Sequence, residues 1–63
     1  MRTVYEVICE WDIGQEDQLF RSEDAAIEWA TANLKLQFGD DPDYTFSALV
    51  EEGLIETNEK SII

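Results

Sequence analysis

Apolar and polar residues alternate along the first part of the chain. Every odd-numbered position from residue 5 to residue 13 is apolar, whereas Glu6, Glu10 and Asp12 fall at even positions. A two-residue period is typical of a β-strand that buries one face. The pattern predicts a first strand over residues 3–12. The side chains predicted to face the core are Tyr5, Val7, Cys9, Trp11 and Ile13.

A turn and a second strand are predicted next. Residues 14–17 contain glycine and three polar side chains, which are common in turns, and residues 18–21 are long enough for a short strand. So close a connection joins antiparallel neighbours. The two strands are therefore expected to form a hairpin.

A long helix is predicted to begin after Ser22, whose hydroxyl can accept a hydrogen bond from a free amide of the first turn. Gly39 is placed to end it in a left-handed conformation. The residues on its main apolar stripe are Ala26, Ile27, Ala30, Leu34 and Phe38. Trp29 and Leu36 lie on a second stripe beside the first, so they need cover from another helix or from a second molecule.

The last part of the chain predicts a short helix and a final strand. Asp43 or Thr45 can cap a helix over residues 44–52, and Gly53 is expected to end it. Residues 54–63 then predict a strand with weaker alternation. The residues on its predicted inner side are Ile55, Thr57 and Ile63.

The element order β-β-α-α-β predicts an α+β fold. Residues 1–63 form one domain in this interpretation: a three-stranded antiparallel sheet with one long and one short helix on one face. A chain of this size buries only about 60% of the surface that it exposes when unfolded, so marginal stability is expected. A hydrophobic content of 44% is nevertheless too high for a disordered acidic tail.

Charge is the strongest functional clue. Fifteen Asp and Glu residues face four Lys and Arg residues and no His, which gives a formal net charge of −11. Such a charge repels nucleic acid and anionic membranes, so direct binding to either is not expected and the predicted partner is a basic protein. Charged residues interrupt the N-terminal segment, and a single cysteine fits a reducing compartment. These features predict a complete, soluble protein of the cytoplasm.

Catalytic and metal-binding motifs are missing from the sequence. The chain has no His and one Cys, so it cannot form a nucleophile–His dyad or a thiolate metal cluster. A carboxylate acid–base pair would need a desolvated cleft, which so small a domain hardly provides. Neither acidic run, residues 12–17 or residues 40–43, has the spacing of an EF-hand loop. We therefore expect no enzymatic activity, no cofactor and no specific metal site.

The acidic residues themselves are the candidate site. Eight of the fifteen carboxylates lie between residues 6 and 28. Residues on one face of a strand stand about 6.6 Å apart, which is comparable to the separation of neighbouring phosphates. The acids predicted to contact a partner are Glu6, Glu10, Asp12, Glu16, Asp17, Asp24 and Glu28. Trp29 is added as an aromatic anchor if the second helix does not cover it.

Three features of the layout also occur in a known family. The first predicted strand ends near Trp11, the second contains Phe20, and the helix contains the run Trp29, Ala30 and Thr31. In these features the chain resembles the T-even phage antitoxins that neutralise a host RNase toxin, although those antitoxins are closer to neutral. In size and charge it resembles small phage-encoded inhibitors of host defence of the anti-restriction and anti-CRISPR types. The resemblance implies a phage origin and a protein target in the host.

Two functions follow from these observations. The first is a non-enzymatic inhibitor from a phage or mobile element that occupies a basic nucleic-acid-binding site of a host protein, as a nucleic-acid mimic. Its target would be a nuclease, a defence complex, a polymerase or a toxin, and it would act as a monomer or a homodimer. The alternative is a small structural or assembly protein that forms a homodimer through its surplus apolar surface, with acidic residues that serve solubility only.

Overall fold

A computed structural model describes residues 2–62 of the chain. In this part of the chain two β-strands flank two α-helices and one 3₁₀ turn. The elements, in chain order, are β1 (Arg2–Cys9), α1 (Glu23–Phe38), the 3₁₀ turn (Pro42–Tyr44), α2 (Phe46–Glu51) and β2 (Ile55–Ile62).

The sheet contains β1 and β2 alone. The two strands pair antiparallel from Arg2 opposite Ile62 to Cys9 opposite Ile55. The prediction of a three-stranded sheet is therefore wrong. Residues 18–21 contribute a single bridge, in which Tyr5 and Phe20 exchange two backbone hydrogen bonds of 2.9 and 2.8 Å. The short strand around Phe20 that the antitoxin layout implies is likewise reduced to one residue.

A compact loop takes the place of the predicted hairpin. The Gln15 side chain accepts a hydrogen bond from the Ile13 amide (2.8 Å) and donates one to the Trp11 carbonyl (3.1 Å). The Gln18 amide turns back to the Gln15 carbonyl at 3.1 Å. These local bonds satisfy backbone groups that a hairpin would pair across strands. As a result, β1 ends at Cys9 and not at residue 12.

The prediction of the long helix is confirmed at both ends. Ser22 is extended, and its Oγ accepts a hydrogen bond from the Ala25 amide at 3.1 Å. Gly39 has a φ of 70°, and its amide donates to the Lys35 carbonyl at 2.7 Å. The helix buries one face against the sheet, with Ala26, Ala30 and Leu34 at its centre.

The second helix is shorter than predicted, because a 3₁₀ turn occupies its expected first residues. Thr45 caps α2 by accepting from the Ala48 amide at 3.2 Å, and Gly53 follows it with a φ of 73°. The final strand, predicted over residues 54–63, is confirmed as β2 over Ile55–Ile62. Ile55 lies on its inner side and is buried, whereas Ile63 lies outside the described residues.

One small core holds these elements together. Its buried residues are Val7, Ile13, Ala26, Ala30, Leu34, Leu49 and Ile55. Of the five odd-numbered side chains predicted to face the core, Val7 and Ile13 are buried, and the other three are half-buried and pack against it. Ile8 points to the opposite face of the sheet and is 43% exposed. Both helices therefore cover one face of a two-stranded sheet and leave the other face open.

Candidate protein-binding surface

Nearly all carboxylates lie on the surface. Glu6 is half-buried, and the other fourteen of the fifteen acidic residues are exposed. Within residues 2–62, two ion pairs form: Lys35 with Asp40 at 3.3 Å and Lys60 with Glu6 at 3.5 Å. Most of the negative charge in this part of the chain is therefore uncompensated and faces solvent.

Glu6 is the most constrained of the predicted contact residues. Its Oε1 accepts a hydrogen bond from Asn58 Nδ2 at 2.9 Å, and its Oε2 lies 3.5 Å from Lys60 Nζ. Both partners come from β2, and Asn58 stands directly opposite Glu6 in the ladder. The Glu6 carboxylate thus already binds a cation and an amide donor within the chain, so it is less available to bind a cation of a partner.

Glu10 and Asp12 lie beyond the end of β1, so the predicted row of three acids along one strand face is wrong. Glu10 is exposed, and its amide still donates to the Leu54 carbonyl at 3.0 Å. Asp12 Oδ1 accepts from the Gly14 amide at 2.7 Å. This bond stabilises the turn at Gly14, whose φ is 88°.

Glu16 and Asp17 lie in the loop and face a groove beside β1. The groove has a volume of about 630 Å³ and runs between residues 6–9 of β1 and residues 15–19 of the loop. Glu6 and Lys60 also line it, so three of the predicted acids meet at one surface feature. Asp17 has a φ of 65°, a conformation that Asn and Asp tolerate better than most residues.

Asp24 and Glu28 lie one turn apart on the exposed side of α1. Like charges at this spacing weaken a helix by about 0.2–0.5 kcal/mol, which a cation from a partner would relieve. The neighbouring Glu23 is tied down instead, since its Oε2 accepts from Thr57 Oγ1 at 3.0 Å. This bond joins the start of α1 to β2.

Trp29 is half-buried, and the residues that cover it belong to the same molecule. Its ring centroid lies 5.4 Å from that of Phe20, and a Cβ atom added at Gly14 would lie 3.9 Å from its Cζ2 atom. The loop therefore supplies the cover that the sequence interpretation assigned to the short helix or to a second molecule. Leu36, on the same predicted stripe, is 85% exposed.

The groove is also lined by residues that are absent from the predicted contact set, among them Gln15, Leu19 and Lys60. Leu19 is 53% exposed on the loop side, and Gln15 shapes the loop. Lys60 reaches Glu6 diagonally across the ladder, because Val4 is its direct partner. A correct prediction of the register between β1 and β2 would have placed Lys60 close to Glu6. Nothing in the local sequence indicates that Leu19 or Gln15 lies beside β1.

The described residues gather few groups for other chemistry. In residues 2–62 no three His, Cys, Asp or Glu side chains converge in a position to hold a metal ion. Cys9 is a free, half-buried thiol at the end of β1. No helix in this region has the length and apolarity needed to cross a membrane.

Comparisons with known proteins add no functional assignment. No protein-family model matches the chain, and no curated protein or solved structure matches it either.

Proposed function

We propose that this chain is a non-enzymatic, acidic protein-binding module of phage or mobile-element origin. It occupies the basic nucleic-acid-binding site of a host protein and blocks it, acting in the host cytoplasm. The observation that carries the proposal is the exposure of fourteen carboxylates on a molecule with a net charge of −11.

The linear charge density supports mimicry of a nucleic acid. The molecule is 39 Å long and 20 by 18 Å across. Its net charge of −11 over 39 Å corresponds to one charge per about 3.5 Å. One strand of duplex DNA carries one charge per about 3.4 Å. A basic channel that is built for a nucleic-acid strand therefore meets a similar charge density on this protein.

The lack of internal compensation also favours a basic partner. A surface that serves solubility alone can carry acidic and basic residues interspersed with one another. Only four cations are present, and two of them already pair with Glu6 and Asp40. A large field of a single sign accelerates association with an oppositely charged site.

The test begins with a partner captured from a bacterial lysate on the immobilised protein and identified by mass spectrometry. Its affinity is then measured at low and high salt, with and without competing duplex DNA or RNA. We expect the affinity to fall at least about tenfold between about 50 and 200 mM salt, and we expect the nucleic acid to displace the module. Binding that is insensitive to salt and tolerates bound nucleic acid contradicts the proposal.

Charge-matched variants locate the contact surface. One variant changes Glu16, Asp17, Asp24 and Glu28 to their amides, and the control changes Glu51, Glu52, Glu56 and Glu59 to Gln. Both raise the net charge by the same amount, so a general electrostatic effect is equal in the two. We expect the first variant to lose more affinity than the control. Equal losses show that the predicted residues are not the contact surface.

A further inference from the structure

β1 has a second edge, opposite β2. Tyr5 exchanges both of its backbone hydrogen bonds with Phe20, and the Glu10 amide bonds to the Leu54 carbonyl on the β2 side. Backbone groups of successive residues in a strand point to opposite edges. The even-numbered residues of β1 therefore bond to β2, and the backbone groups of Val7 and Cys9 point to the second edge.

This second edge lacks a strand after Tyr5. The residue that would continue the bridge towards Val7 is Gln18, but its amide is bonded to the Gln15 carbonyl. Within residues 2–62, no hydrogen bond joins Val7 to the loop, and Cys9 is approached only by Gln15 Nε2, 3.5 Å from its carbonyl oxygen. Unpaired amide and carbonyl groups of this kind can pair with another extended chain.

The groove described above lies along this edge. Ile8 and Leu19 line it and are 43% and 53% exposed, so it offers apolar surface on both sides. The loop side carries Glu16 and Asp17, and neither forms an ion pair within residues 2–62. The cation that lines the groove, Lys60, is paired with Glu6 at 3.5 Å. An extended segment in the groove would therefore meet backbone groups, apolar side chains and the carboxylates of Glu16 and Asp17 together.

We propose that the groove binds an extended, basic segment of the partner protein, which adds to β1 as a short strand. The inference rests on the proposed function, since it names the part of the basic partner that is recognised. Strand addition derives its affinity from backbone hydrogen bonds and its specificity from alternate side chains. Here the cationic side chains of the segment face Glu16 and Asp17, and its apolar side chains lie on Ile8 and Leu19.

A second copy of this chain is a poor occupant of the same edge. Pairing β1 with β1 of another molecule would bring two charges of −11 together, with Glu16 and Asp17 of each copy beside the interface. Like charges at a contact oppose association. Charge complementarity therefore selects a basic polypeptide over self-association.

The test uses a blocked synthetic peptide of alternating lysine and valine, about eight residues long. The matched control is the same peptide with an N-methyl group on every backbone nitrogen, which keeps the charge and removes the amide donors from both edges. Binding is followed by NMR of the amides in about 20 mM salt. We expect the control to bind at least about tenfold more weakly, and we expect hydrogen exchange at the Val7 amide to slow with the unmodified peptide alone.

Protein variants test the acidic side of the groove. Glu16→Gln with Asp17→Asn is compared with Glu51→Gln with Glu52→Gln, a pair that removes the same charge away from the groove. We expect the first pair to weaken peptide binding by about tenfold and the second by about twofold or less. Equal effects of the two pairs contradict the proposed site.

Two results overturn strand addition. If both peptides bind equally, contact is through charge alone; if neither binds, the groove takes no such segment. Either result leaves the proposed function to be decided by the salt and duplex competition described above, so the two proposals can fail independently.

Discussion

Gln15 is the residue that decides the path of the chain after β1. Its amide group accepts from the Ile13 amide at 2.8 Å and donates to the Trp11 carbonyl at 3.1 Å, and it is itself half-buried. A side chain that satisfies two backbone groups in this way replaces ladder hydrogen bonds. The loop, the free edge of β1 and the groove beside it all depend on this arrangement.

Replacing Gln15 with alanine is expected to destabilise the fold by about 1–3 kcal/mol, because it leaves part-buried backbone groups without partners. The free energy of unfolding is measured by urea titration. Gln18→Ala is the matched control, since Gln18 is exposed and its observed bond to Gln15 uses the backbone amide. Equal stability of the two variants would show that the Gln15 side chain does not hold the loop.

The secondary-structure elements differ in how far local sequence determines them. α1 is predictable because its cap at Ser22, its apolar stripe and its terminating Gly39 are all local features. The end of β1 is not predictable in this way, since the alternation continues to Ile13, which is buried in the core although it lies in the loop after the strand. For the candidate site, the exposure of the acids follows from composition. The groove does not, because it needs the long-range placement of Leu19 and Lys60.

The packing of the loop on α1 can be tested at Trp29. Trp29→Ala is expected to destabilise the protein by about 2 kcal/mol, since it removes a partly buried ring that contacts Phe20 and lies next to Gly14. Leu36→Ala on the same helix is the control, with an expected change within about 0.5 kcal/mol because Leu36 is 85% exposed. Urea titration measures both.

Sedimentation of the same samples separates packing from self-association. We expect both variants and the unmodified protein to sediment as monomers, because Trp29 is covered within the chain. A dimeric parent with a folded, monomeric Trp29→Ala variant would instead make Trp29 an interface residue, in favour of the structural or assembly role.

The carboxylates of the whole molecule repel one another, and few cations are present to offset them. The net charge of −11 lies within a body 39 Å long and 18 to 20 Å across, and the described residues form two ion pairs to offset it. Both pairs are at least partly exposed, and such pairs contribute about 0–1 kcal/mol each. Screening by salt should therefore weaken the repulsion among the carboxylates more than it weakens the attraction within the two ion pairs.

Added salt is accordingly expected to raise the melting temperature. Going from about 10 mM to about 150 mM salt shortens the Debye length from about 30 Å to about 8 Å, so repulsion across the molecule is largely screened. A gain of about 1 kcal/mol corresponds to about 4–8 °C for a domain of this size. In thermal unfolding, the variant with Glu51, Glu52, Glu56 and Glu59 changed to Gln should melt higher at low salt and respond less to added salt. A melting temperature that falls with salt would mean that the Glu6 and Asp40 ion pairs outweigh the repulsion.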